Sequence, residues 1–171
     1  MGQSAQNLPG ALSGIAIRAK SRAPMIPLEQ AQVSVEKGVM VTTAVEGLPR
    51  QDSRGRAGKR QVTVLSAESW RKACAELGSE LPWLARRANL LVTGIEFGAE
   101  DVGKLITIGE VQLVITRETD PCGRMEEVCP GLKAALAPRW RGGVCCRVVR
   151  AGDIRLGDQV GIISLIEDVS T

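Results

Sequence analysis

Seven short stretches in which apolar and polar residues alternate, or β-branched residues run together, punctuate the chain at 12–17, 31–36, 61–65, 89–95, 104–116, 144–150 and 159–165. Successive side chains of a strand point to opposite faces, so each stretch reads as a strand with one face available to a core. No helical period recurs between them in a βαβ rhythm. The expected fold is therefore mainly β, a closed or half-open β-barrel with a few short peripheral helices, in preference to a doubly wound sheet. Within 104–116, Gly109-Glu110 divides two alternating segments and puts glycine at the first central position of a two-residue type II′ hairpin. A second turn is expected at Ala151-Gly152-Asp153, between two late strands.

One helix is well signalled at about 67–77. Ser66 is placed to cap it, Glu68 suits the positive end of its dipole, and Gly78 offers a C-terminal stop. Trp70, Ala73, Cys74 and Leu77 then share one face, which makes Cys74 a small core residue. A shorter helix is expected from Pro130 through Leu132 to Leu136, ending at Pro138. The stretch 47–59, dense in Gly, Arg, Asp and Ser, reads as a long polar loop. At 171 residues the chain suits one domain, expected at 12–164 between tails at 1–11 and 165–171.

Composition narrows the function classes. The chain has no histidine, which removes the usual general base of serine and cysteine hydrolases and the usual nitrogen ligand of zinc and iron. A net charge of only +3 and an aromatic content of 2%, confined to Trp70, Trp83, Phe97 and Trp140, argue against nucleic-acid binding by base stacking. Neither a membrane-spanning apolar run nor a signal peptide is read from the sequence, so a cytoplasmic protein is expected. The odd cysteine count, five, favours reduced thiols, each to be judged as core filler, ligand or nucleophile.

Of these, Cys122 stands out. The Pro121-Cys122 pair follows the strand-like 111–116 run, in a loop rich in turn residues and two positions before Arg124. Such a thiol is open to a ligand and biased toward thiolate by the neighbouring cation. Three basic-polar clusters accompany it: Lys20-Ser21-Arg22, Arg86-Arg87 with Asn89, and Arg139 with Arg141-Gly142-Gly143. If they converge they form an oxyanion pocket, in which arginine supplies a planar fork and lysine and serine add a point charge and a hydroxyl. Vicinal Cys145-Cys146 is a poor metal pair, because neighbouring strand residues face opposite ways, and one of the two is expected in the core. Cys129 is either a helix-entry residue or a second exposed thiol.

The order Ala19-Lys20-Ser21, then 62–69 (VTVLSAES), 86–90 (RRANL), 103–109 (GKLITIG), Pro121-Cys122-Gly123-Arg124, 140–144 (WRGGV) and 152–158 (GDIRLGD) resembles the MOSC domain, named for the C-terminal domain of molybdenum-cofactor sulfurases. The likeness covers about 12–164, as in small stand-alone bacterial members. It implies a barrel-like fold whose PC-motif cysteine, Cys122 here, binds molybdenum or carries sulfur. It also implies that Lys20, Ser21, Arg87 and Asn89 hold the pterin and phosphate of the molybdenum cofactor (molybdopterin), with Ser66 nearby at a strand-to-helix turn. Arg124 and Arg141 join this set as cationic partners of the anion. Two departures stand out: Gln51-Asp52 replaces a Gly-Asp pair, leaving the roles of Asp52 and Arg54 open, and Met125 replaces the second cysteine of some relatives, against a local dithiol mechanism. The implied activity is reduction of an N-hydroxylated small molecule, with electrons from a donor protein. The alternative is a carrier of cofactor or persulfide sulfur, served by a sulfur-donor protein and turning over no substrate, and a third reading is a barrel interaction module with an incidental thiol.

Overall fold

The computed structural model describes residues 10–18, 22–40 and 62–165. Lys20, Ser21 and the 47–59 loop with Asp52 and Arg54 lie outside the described residues. The elements run β1 (Gly10–Arg18), β2 (Met25–Leu28), β3 (Gln30–Ser34), β4 (Gly38–Met40), β5 (Val62–Ser66), α1 (Ala67–Glu76), β6 (Leu90–Thr93), β7 (Leu105–Ile108), β8 (Val111–Glu118), α2 (Gly123–Val128), α3 (Leu132–Leu136), β9 (Val144–Arg150), β10 (Gly152–Arg155) and β11 (Gln159–Ile163). One-turn 3-10 segments sit at Trp83–Arg86, Ala99–Asp101 and Pro138–Trp140.

The barrel is closed. Around it the order is β1-β6-β5-β9-β8-β7-β11, and β11 returns to β1 through the pairs Gly10↔Val160 and Ala11↔Gln159. Strand β2 adds to the other half of that β1 edge, and β10-β3-β4 form a small separate sheet. Strand β1 starts at Gly10, inside the expected tail. Its register shifts between Leu12 and Gly14, and this bulge lets Leu12 and Ile15 both enter the barrel core although they are three residues apart. Gly14 is required there, because a Cβ would stand 2.5 Å from the Trp83 ring.

Two cores result. The barrel interior is filled by Leu12, Ile15, Ile17, Val62, Val64, Leu90, Ile106, Leu113, Ile115, Cys146 and their neighbours. A second layer, outside the barrel wall, packs Leu65 and Leu91 against Trp70, Ala73 and Cys74 of α1, Met125 of α2 and Leu132 and Leu136 of α3. Strand β5 is buried at every position because the barrel lies on one face and the helices or the site on the other. It pairs parallel with β6, with α1 in the connection, a single βαβ unit that the lack of a repeating rhythm gave no reason to expect.

The expected helix 67–77 corresponds to α1. Ser66 Oγ accepts from the Ser69 N–H, and the C-terminus closes with Gly78 N–H on the Ala75 carbonyl and Ser79 N–H on the Cys74 carbonyl, Gly78 being left-handed at φ +63°. Helix α3 is shorter than expected, starting after Gly131, and Pro138 opens a 3-10 turn. Helix α2 was not anticipated. The Gly109-Glu110 hairpin has its positive φ at Gly109 alone, as the II′ type requires. The turn expected at Ala151-Gly152-Asp153 is corrected: Gly152 and Asp153 belong to β10, where they pair with Val33 and Gln32, so only Ala151 separates β9 from β10. The second sheet contributes Ile154, Ala31 and Val33 to the same core as the barrel. Both vicinal cysteines are buried on opposite faces, where one was expected in the core: Cys146 lies in the barrel, its thiol pushed strongly up by burial and then by Cys145. Among the described residues, no helix is long and apolar enough to cross a membrane.

Cys74 is buried on the α1 face that meets α3. Cys74→Ser is expected to lower stability by about 1–3 kcal/mol, the cost of burying a hydroxyl without a partner. Urea unfolding measures this. In the native protein iodoacetamide should label Cys74 far more slowly than Cys122; equal rates would break the assignment of that face.

Candidate functional site

A cleft, partly open to solvent, lies on the outside of the barrel where β1 ends, β8 ends and α2 begins. It is lined by the thiol-bearing residue Cys122, four arginines (Arg18, Arg86, Arg87 and Arg124), and the smaller or apolar Thr63, Ala88, Thr119, Met125 and Gly142. Among the described residues, no carboxylate lines it. The four arginines arrive on three supports: Arg18 from the end of β1, Arg86 and Arg87 from the 3-10 turn before β6, and Arg124 from the first turn of α2.

Arg86 and Arg87 are adjacent yet behave differently. Arg86 is only 6% exposed; its Nε donates to the Gly142 carbonyl at 3.0 Å and its Nη2 to the Thr119 carbonyl at 2.9 Å. Arg87 caps the 3-10 turn in the left-handed conformation, φ 65° and ψ 31°, which turns its side chain out of that path. Its Nη2 donates to the Ala23 carbonyl at 2.7 Å, while its Nε is buried with no hydrogen-bond partner. A buried guanidinium N–H left unmatched costs of the order of 1–3 kcal/mol.

Cys122 is exposed, at the N-cap of α2. Cys129 caps the other end of α2, so a helical rise of about 1.5 Å per residue leaves the two about 10 Å apart, beyond the span of a disulfide. Thr119 ties the cleft floor to β9: its Oγ1 lies 3.2 Å from Cys145 Sγ and its N–H donates to the Gly143 carbonyl at 2.9 Å. Gly142 and Gly143 leave room for these bonds. A Cβ on Gly142 would stand 2.7 Å from the Thr119 oxygen, and one on Gly143 2.4 Å from the Val64 oxygen.

The structure thus brings Cys122, Arg87 and Arg124 together. Asn89 is not in the lining. Its Oδ1 accepts from the Thr63 N–H and hydroxyl, and its Nδ2 donates to the Ala16 carbonyl, so it joins β1 and β5 at the root of β6. Ser66 is buried as the α1 cap. Arg141 is drawn away from the cleft: its Nη1 donates to Glu76 at 2.7 Å and to the Ala135 carbonyl at 3.1 Å, locking the Pro138–Trp140 turn onto α1 and α3. Of the third basic cluster only Gly142 reaches the cleft. Arg18, Thr63 and Thr119 were missed as lining residues, though Arg18 carried a signal, being the polar end of an otherwise apolar strand. Beside the cleft, Glu118 has its carboxyl pKa raised by burial, then by the negative charge of Asp120 and a hydrogen bond with it, while Arg86 pulls the other way.

Among the described residues, no cluster of His, Cys, Asp and Glu is placed to hold a bare metal ion. One exposed soft sulfur among cations suits instead an anionic group that brings its own donors to a metal. The sequence pattern of the MOSC domain matches residues 42–161. No curated protein matches the chain. Among solved structures, the YuaD protein from Bacillus subtilis is similar, with a TM-score of 0.70 at 20% identity over 91% of this chain and 97% of that one. YiiM from Geobacillus stearothermophilus has a TM-score of 0.61 at 15% identity over 92% and 74% of the two chains. YiiM from Escherichia coli has a TM-score of 0.63 at 13% identity over 92% and 72%. At these identities the likeness is one of fold.

Two outcomes follow from the geometry. Arg87→Gly should be more stable than Arg87→Ala by about 1 kcal/mol, because glycine alone takes the left-handed conformation without a Cβ clash, while both lose affinity for pyrophosphate in titration calorimetry. The raised pKa of Glu118 means the folded state holds that proton to higher pH than the unfolded chain does. Its stabilisation is complete below the ordinary value of 4.5 and is lost as pH rises through the folded value. Glu118→Gln should therefore gain on the parent in urea midpoint between pH 4 and pH 7; a gap that stays constant would refute the assignment.

Proposed function

Since the chain belongs to the MOSC domain family, whose pattern matches residues 42–161, we propose that it binds the molybdenum cofactor in the arginine-lined cleft. The observation that carries this reading is the placement of exposed Cys122 in a cleft whose described lining holds four arginines and no carboxylate. The fit is chemical on both counts. The guanidinium groups of Arg87 and Arg124 suit the phosphate of the pterin, each charge-assisted bond contributing about 1.5–3 kcal/mol. The Cys122 thiolate is the soft ligand a molybdenum dithiolene accepts. Lys20 and Ser21 complete the phosphate grip in this reading.

When bound, the cofactor supplies two-electron chemistry at molybdenum. The activity we propose is reduction of N-hydroxylated small molecules, in which the N–OH group takes up two electrons and two protons, becomes N–H and releases water. The electrons come from a partner protein. A second reading is favoured by the exposure of Cys122: a thiol reachable by another protein also suits a carrier that hands on cofactor or persulfide sulfur from a sulfur-donor protein.

Protein purified gently from a molybdenum-replete host should contain stoichiometric molybdenum and an organic pterin; absence of both defeats the cofactor reading. Cys122→Ser should lose molybdenum while its melting temperature stays within a degree or so of the parent, because an exposed thiol contributes little packing. Full occupancy in that variant removes Cys122 from the site. Turnover of an N-hydroxylated base with a chemical reductant separates enzyme from carrier.

A further inference from the structure

We propose that Arg86 is a positioning residue, a buried latch that sets where Cys122 stands relative to Arg87 and Arg124. The inference rests on reading the arginine cleft with Cys122 as the binding site. Three residues before Cys122, the Thr119 peptide is gripped from both sides: its N–H donates to the Gly143 carbonyl at 2.9 Å and its carbonyl accepts from Arg86 Nη2 at 2.9 Å. The same guanidinium donates through Nε to the Gly142 carbonyl at 3.0 Å. One buried side chain therefore clamps the stem of the Cys122 loop against the turn that starts β9.

The latch depends on a missing side chain. A Cβ at Gly142 would sit 2.7 Å from the Thr119 oxygen and 3.0 Å from Arg86 Nη2, so glycine is what allows the guanidinium and the carbonyl to meet. A planar fork bridges two carbonyls at fixed angles; an ammonium holds the same charge as a point and fixes no such plane. The adjacent Arg87 leaves by the left-handed turn to face the cleft, while Arg86 stays beneath. Two neighbouring cations thus divide the work, one for the ligand and one for the loop that carries the thiol.

The test reads the thiol without any cofactor. In the full chain with Cys129→Ser, Cys122 is alkylated with iodoacetate and with iodoacetamide, near-isosteres that differ in charge. The rate ratio reports how close the thiol lies to the arginines. In the parent it should exceed the ratio in urea. Arg86→Lys and Gly142→Ala both keep the charge at 86 and should lower the ratio by about two- to ten-fold, the range for moving a unit charge from about 4 to about 6 Å between water-like and protein-like dielectrics. A parent-like ratio in both variants, each folded by circular dichroism, overturns the proposal. Loss of cooperative folding in both does so too, since Arg86 would then serve the fold as a whole. Failure to bind molybdenum or pterin, with the ratios behaving as expected, counts against the cofactor reading and leaves the latch standing.

Discussion

Strand β1 bonds to three strands, and the rest of the molecule depends on that. Its first residues close the barrel onto β11, its middle runs beside β6, and its last four residues carry β2. The bulge between Leu12 and Gly14 turns the strand so that all three contacts are made while Leu12, Ile15 and Ile17 still fill the interior. The interior of this seven-strand barrel is filled by apolar side chains. Outside it, the strand ends and the helical layer leave a cleft, and β1 delivers Arg18 to its edge.

That cleft carries a local cost. Arg87 combines a left-handed backbone with a buried, unmatched Nε. Features of this kind each cost about 1–3 kcal/mol and persist only where the surroundings over-determine them. Here the surroundings are rigid: β6 on one side, the Ala23 carbonyl on the other, and Arg86 fixed beneath. An anionic group beside Arg87 would offset part of that cost.

Most of the barrel was legible because alternation survives in strands with one wet face or a simple two-layer environment, as in β8, where Val111, Leu113 and Ile115 point inward. The α1 cap and stop were legible because both are local. Short edge strands β2 and β4 were not, since three or four residues carry no period. Helix α2 escaped because only Met125 among its residues is buried, which leaves no apolar stripe to read. At the cleft, the loop position of Cys122 is legible in the sequence. The pairing of Arg141 with Glu76 is not, because the two are 65 residues apart and no spacing rule connects them. Arg86 and Arg87 both line the cleft, and their different directions depend on the 3-10 turn that separates them.

The Arg87-x-Asn89 pair shows how a short motif divides between chemistry and scaffold. Parallel pairing of β5 with β6 begins at Val64 and Leu90, so the ladder has to start somewhere near Thr63. Asn89 starts it with its side chain: Oδ1 takes the Thr63 N–H, its own N–H reaches the Thr63 carbonyl, and Nδ2 reaches across to the Ala16 carbonyl of β1. Three strands are thereby fixed in register at one residue. Arg87, two positions earlier, leaves that junction at a defined angle and with little freedom to retreat from the cleft. An asparagine outside the cleft lining can in this way matter as much to the shape of the cleft as the arginine within it, because the arginine's reach is only as reliable as the backbone it starts from.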